Sequence, residues 1–164
     1  MPTRGATPDD LAAIADIYAH YVDTSVATFE LAPPDGNEWR RRFDGIVGAG
    51  LPFLVAEREG AIAGYAYCAP WKTRPAYRAT VEDSVYVAPW AVGQGCGTEL
   101  LRDLLAACRA AGIREVIAVI ADGEDSASVE LHHRFGFVDA GRLTRVGYKH
   151  ERYIDTVLLQ WSAG

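Results

Sequence analysis

No stretch of this chain is long and apolar enough to span a bilayer, and its opening residues, MPTRGATPDD, lack the apolar core of a signal peptide. The expectation is a cytoplasmic protein with no membrane partner. Cysteine is scarce. Cys68, Cys96 and Cys108 are odd in number and show no paired metal spacing. They read as small packing residues in a reducing compartment, and no metal is expected. Positive charge is also short: 16 Lys and Arg stand against 22 Asp and Glu, for a net charge of −6. A broad nucleic-acid footprint is therefore not expected. The one basic run, Arg40-Arg41-Arg42, reads as a solvated helix face. No repeat, low-complexity tract or linker breaks the 164 residues, which predicts one domain over 1–164 with a single sizeable core.

What is present reads as alternating elements. Thr7-Pro8-Asp9-Asp10 supplies a capping hydroxyl, a first-turn proline and acids suited to a helix start. Leu11, Ile14, Ala15, Tyr18 and Val22 then recur at helical spacing. Pro33-Pro34-Asp35-Gly36 breaks the chain before a more polar helix near Glu38 to Val47. Pro52 to Glu57 and Ala61 to Ala69 predict a hairpin turning at Glu59-Gly60. A loop over Ala69 to Ala79 precedes a strand from Thr80 to Val87. Leu100, Leu101, Leu104, Leu105 and Cys108 mark an amphipathic helix ending near Gly112. A strand over Arg114 to Ala121, a short helix over Ser126 to Phe135 and strands from Phe137 to about Val146 and from Tyr153 to Trp161 complete the order. This is mixed α/β, with a sheet partly antiparallel and partly parallel, flanked by helices.

The most informative stretch is TVEDSVYVAPWAVGQGCGTELL, from Thr80 to Leu101. A strand carrying Glu82 feeds a turn with Gly93, Gly95 and Gly97, which opens onto a helix. Successive backbone N–H groups in such a turn converge on an anion, and the helix dipole adds positive potential. A phosphate-bearing ligand is expected. A P-loop would need Lys and Ser/Thr after the glycines, but Thr98 and Glu99 follow Gly97. A dinucleotide fingerprint would need a glycine at Thr98. A tight strand–helix turn with no ligand is the bland alternative.

The turn resembles the acetyl-CoA loop of the GNAT superfamily of N-acetyltransferases, which reads Q/R-x-x-G-x-G/A after a strand ending V-x-V-x-P. Val85-Tyr86-Val87-Ala88-Pro89 and Gly95-x-Gly97 match, while Val92 stands where Gln or Arg is usual. The element order is also that of the GNAT fold. Further matches are Ser25-Val26-Ala27-Thr28-Phe29-Glu30, the loop Trp71 to Tyr77, Thr80 to Val87, Ser128-Val129-Glu130-Leu131-His132 running into Phe135-Gly136-Phe137, and Val146-Gly147-Tyr148-Lys149-His150. Together they look like the phosphinothricin and methionine sulfoximine (or sulfone) acetyltransferases.

That resemblance implies a GNAT fold with a twisted central sheet, acetyl-CoA as co-substrate, and a homodimer acting on a small amino-acid-like molecule. It places the coenzyme on Val85, Tyr86, Val87, Gly93, Gln94, Gly95, Cys96, Gly97, Thr98 and Ser128, and on Asp125, where the superfamily often has Asn. Cys96 reads as packed rather than nucleophilic. Glu82 is the expected general base, since a cleft that desolvates it raises its pKa toward the working pH. Asp83 alternates to the other strand face. His132 lies where many superfamily members carry a Tyr proton donor, and it either moves a proton or orients substrate. An oxyanion is expected to meet a backbone N–H near Val87. Lys72, Arg74 and Tyr77 occupy a loop resembling the family's substrate loop, and Arg suits bidentate capture of an anion. Phe29 would wall the side-chain pocket, while Tyr148, Lys149 and His150 would line that of a neighbouring subunit. The expected reaction is direct acetyl transfer to an α-amino group in a ternary complex. Transfer to another amine or a peptide N-terminus remains open, as does a non-catalytic acyl-CoA sensor.

Overall fold

A computed structural model describes residues 3–123 and 126–164. Among the described residues, seven strands form one sheet in the order β1-β2-β3-β4-β5-β7-β6. They are β1 (Thr3–Gly5), β2 (Phe53–Arg58), β3 (Ala61–Pro70), β4 (Thr80–Val87), β5 (Glu115–Asp122), β6 (Val138–Lys149) and β7 (Arg152–Ser162). All neighbours are antiparallel except β4 and β5. Helices α1 (Leu11–Thr24) and α2 (Gly36–Gly48) cover one face, and α3 (Cys96–Ala110) and α4 (Ala127–Arg134) the other.

The expected cap at Thr7 works differently from a simple helix start. Pro8–Asp10 makes a single 3₁₀ turn, and α1 begins at Leu11. The Asp10 carboxylate accepts from the Thr7 N–H at 2.8 Å and is held in turn by Arg4 at 2.8 and 2.9 Å. Asp35 Oδ1 caps α2 by accepting from the Glu38 N–H at 2.8 Å, so that helix starts two residues earlier than the sequence indicates. The apolar stripe of α1 packs Ile14, Tyr18 and Val22 onto Val55 and Tyr65. On the far face Leu100, Leu101 and Leu104 of α3 are fully buried with Val81, Val116 and Trp161. Each such leucine contributes roughly 1.5–3 kcal/mol of burial.

The β2–β3 hairpin turns through Glu59 and Gly60 at φ +53° and +78°, the two-residue geometry that suits strand twist. The β6–β7 hairpin runs further than the sequence pattern suggests. Its register shifts between Leu143 and Gly147, with Arg145 at φ +55°, and pairing resumes to Lys149↔Arg152. A bulge of this kind hides strand continuity from a period-2 pattern.

Candidate active site

The sheet is split. β4 and β5 pair only at Thr80↔Glu115, Val81↔Val116 and Glu82↔Ile117. Beyond Glu82, β4 stays beside β3 to Val87↔Gly64, while β5 stays beside β7 to Asp122↔Asp155. The two strands diverge and leave a cleft of about 820 Å³. The Ala88 N–H turns away from this opening to the Ala63 carbonyl at 2.7 Å. By alternation, the N–H groups of Val85 and Val87 face the opening. Tyr21 of α1 fixes the end of β4 by donating its hydroxyl to the Val87 carbonyl at 2.5 Å.

The glycine turn forms one end of the cleft. Gly93 and Gly95 sit at φ +85° and +83°, and Gly95 is the N-cap of α3. An L side chain rarely adopts either geometry, so glycine is what lets the backbone curl there; the Gln94 N–H closes the turn onto the Ala91 carbonyl at 3.3 Å, ahead of the N-terminus of α3. Gly97 differs: it lies in the first helical turn, where a Cβ would meet Leu131 Cδ2 at 3.4 Å. The Gln94 side chain folds back onto the Trp90 carbonyl at 3.2 Å. Arg58 pairs with Glu99 and so braces the helix start. Thr98 lines the cleft, Cys96 is buried with its thiol pushed up mainly by burial, and Val92 is exposed. This turn and split strand fit a pyrophosphate joined to a narrow linear arm. Among the described residues, no group of three or more His, Cys, Asp or Glu is arranged to hold a metal.

Alternation on β4 sends its carboxylates to opposite faces. Glu82 shares a face with Ser84 and Tyr86, toward α1, and lines the cleft. Its pKa is raised by burial and by the neighbouring Asp83 charge, against a lowering pull from Lys72. Asp83 turns toward α4 and meets His132. The His132 Nε2 lies 2.7 Å from Asp83 Oδ2, and its Nδ1 lies 2.7 Å from the Ser128 carbonyl. A carbonyl only accepts, so Nδ1 carries a proton. Burial alone would depress the His132 pKa, but the Asp83 hydrogen bond and charge, with the Ser128 carbonyl, outweigh it and raise the pKa. The result is a buried histidine–carboxylate pair with both ring nitrogens engaged, and the residue is 3% exposed.

The segment from Ser25 to Glu30 is marked by resemblance, but the hydrogen-bonded frame around Phe29 is not. Tyr18 shares a 2.6 Å hydrogen bond with Thr28 Oγ1 and also donates to Glu30. Arg42 of α2 grips Glu30 with two bonds of 2.9 Å, and Lys149 Nζ donates to the Thr28 carbonyl at 2.8 Å. The Arg42 hydrogen bond, foremost, holds the Glu30 pKa below its usual range. Tyr67 joins this wall of the cleft beside Glu82. A tyrosine at alternating or helical spacing reads as core, so only the fold reveals these hydroxyls as a set.

The other expected site residues divide between the cleft and its surroundings. Val85, Tyr86, Val87, Ser128 and Phe29 line the cleft. Lys72, Arg74 and Tyr77 are exposed on the loop before β4, outside the cleft walls. Lys72 stacks over Trp71 at 4.9 Å, yet its charge still reaches Glu82. Tyr148 and His150 are exposed, whereas Lys149 is 3% exposed and bonded within its own chain. Asp125 lies outside the described residues.

The acetyltransferase (GNAT) family model matches residues 14–137. A phosphinothricin N-acetyltransferase of Alcaligenes faecalis is 53% identical over 157 residues, covering 96% of this chain and 80% of that protein. An L-methionine sulfoximine/L-methionine sulfone acetyltransferase of Salmonella typhimurium is 34% identical, covering 98% of this chain and 93% of its own. The crystal structure of a GNAT superfamily phosphinothricin acetyltransferase from Sinorhizobium meliloti, in complex with acetyl-CoA, superposes with a TM-score of 0.95 at 43% identity. It covers 99% of this chain and 88% of the other.

Proposed function

The chain belongs to the acetyltransferase (GNAT) family and is an N-acetyltransferase; from that premise we propose that it acetylates the α-amino group of a small polar amino acid or analogue. Phosphinothricin, methionine sulfoximine and methionine sulfone are the substrates its relatives point to. The observation that carries the reading is the end of β4–β5 pairing at Glu82, which sets a half-buried carboxylate of raised pKa beside an open strand edge.

In this reading the turn from Gly93 to Thr98 holds pyrophosphate, and the N–H groups facing the opening from Val85 and Val87 receive the pantetheine arm and the carbonyl oxygen. Acetyl-CoA supplies an activated acyl group. Glu82, directly or through one water, takes the proton from the ammonium, because an α-amino group is largely protonated near neutral pH. The free amine then attacks the carbonyl, the C–S bond breaks, and the nitrogen's remaining surplus proton passes to the departing coenzyme thiolate, leaving the amide and free coenzyme thiol. No acyl-enzyme is required: Cys96, the thiol in the turn, is buried with its pKa raised. His132 ties α4 to β4 through Asp83 and keeps the cleft in shape, with both nitrogens already bonded. Lys72 and Arg74, on the loop whose charge reaches Glu82, attract the substrate's anionic groups. A second copy of the chain is the expected partner. Apolar Val138, Leu143, Val146, Tyr148 and Tyr153 stand exposed on the β6–β7 hairpin, whose outer strand is a sheet edge.

The test is thiol release with acetyl-CoA and a panel of amino-acid sulfones, sulfoximines, phosphinates, polyamines and peptide N-termini, with products scored by mass. Acetylated amino acids support the reading. Turnover confined to peptides or polyamines moves the chain to those substrates. Tight coenzyme binding with no turnover supports a sensor.

A further inference from the structure

Gly147 sits opposite Ile154 on the bulged end of β6, on the sheet face that carries Glu82. Unlike Gly93 and Gly95 it is not at positive φ, so its backbone does not itself demand glycine. What excludes a side chain there is Phe29. A Cβ on Gly147 would lie 2.4, 2.5 and 2.9 Å from Cε2, Cζ and Cδ2 of that ring. Carbon atoms in contact stand about 3.5–4.0 Å apart, so the ring rests directly on the Gly147 backbone.

The ring has little freedom to retreat. Thr28 before it is fixed by Tyr18 and by Lys149, and Glu30 after it is fixed by Arg42. Both backbone neighbours are thus tethered to three different elements. The other side of Phe29, which is 37% exposed, lines the cleft. Any side chain at position 147 would therefore drive the ring into the cleft. We propose that Gly147 is a specificity-determining residue: by carrying no side chain it seats Phe29 back against β6 and so sets the room available to the substrate's side chain. This rests on the reading above that the substrate is a small amino acid.

The experiment uses S-methylcysteine sulfone, methionine sulfone and ethionine sulfone, which grow by one methylene at a time. The readout is the ratio of kcat/KM for the longest to that for the shortest. One methylene in a tight pocket changes kcat/KM by about tenfold or more, so Gly147→Ala should lower the ratio by at least about that factor. Adding Phe29→Leu to Gly147→Ala should restore it, and Phe29→Leu alone should raise it. The acetyl-CoA KM is the control, since neither residue belongs to the glycine turn. A folded Gly147→Ala with an unchanged ratio overturns the inference. If that variant does not fold, Phe29→Leu alone decides: a raised ratio supports it and an unchanged ratio overturns it. A wild-type protein that binds acetyl-CoA but acetylates none of the three sinks the substrate reading, and the inference falls with it. Active wild type with indifferent variants sinks the inference alone.

Discussion

Replacing His132 by leucine should separate a buried structural pair from a proton donor. The His132 and Asp83 side chains are 4% and 3% exposed and 2.7 Å apart. Leucine fills the space but leaves the Asp83 carboxylate buried without its partner. Breaking such a pair costs about 3–5 kcal/mol. For a domain of this size each kcal/mol is worth about 2–4 °C, so Tm should fall by roughly 6–20 °C. Scanning calorimetry measures it. The double variant His132→Leu/Asp83→Leu removes both charges and should recover most of the loss, because apolar replacement of a whole buried pair is often neutral. The sign with pH follows from the raised His132 pKa. The pair's contribution is full below the unfolded histidine value of about 6.5 and fades as pH rises through the folded value, so the Tm gap should narrow on the alkaline side. Kinetics below the melting range complete the test. If the pair only shapes the cleft, the double variant regains turnover along with stability. A double variant that is stable but inactive, with a lost alkaline limb in its pH–rate profile, would refute the structural reading and make His132 the donor.

Glu82→Gln should lower kcat/KM by roughly 10²-fold near neutral pH and by less at high pH, where the amine is already free. In the wild type, kcat/KM should drop as pH falls through the raised Glu82 pKa, and that acidic limb should vanish in the variant; an equal loss at every pH would give Glu82 a positioning part instead. Gly95→Ala forces an L residue to φ +83°, at a cost of about 1–2 kcal/mol, and should raise the acetyl-CoA KM, whereas Gly97→Ala should fold normally. Unchanged coenzyme affinity in a folded Gly95→Ala would remove the turn from binding. Arg74→Ala should impair turnover of phosphinothricin or methionine sulfone more than coenzyme binding, by less than about 1 kcal/mol given the exposure of this side chain. Amides acetylated as fast as free acids, with Arg74→Ala indifferent to both, would strike the basic loop from recognition.

Most of the fold was legible because each element carries its own local signal. The α3 leucines keep a helical period, Thr80–Val87 is bounded by turn residues, and Glu59-Gly60 suits a two-residue hairpin turn. The glycine turn was legible too, since positive φ leaves a compositional mark at Gly93 and Gly95. Non-local pairings left no such mark. Nothing in the strings around Asp83 and His132, 49 positions apart, announces a 2.7 Å contact. Lys149 resembles a residue of a neighbouring subunit's pocket, and nothing local announces its 2.8 Å bond to the Thr28 carbonyl, 121 positions earlier. Gly147 looks like any turn glycine, and its reason lies in a ring contributed by a distant segment.

The three paired positions that join β4 to β5 also give the molecule a seam. Strands β1 to β4 hang together by antiparallel ladders, as do β5 to β7, and between these halves the sheet is stitched only at its lower end. A molecule lying along the upper gap, touching both open edges, supplies the missing stitches. The core under α3 already holds the two halves together from one side, and a bound molecule should tighten the seam itself. At a ligand concentration a hundredfold above Kd, such bridging adds about 2.7 kcal/mol to the folded state. Its signature is geometric as well as energetic: amide exchange should slow on the facing edges of both β4 and β5, from Ser84 to Val87 and from Ala118 to Asp122, and change little in the outer strands.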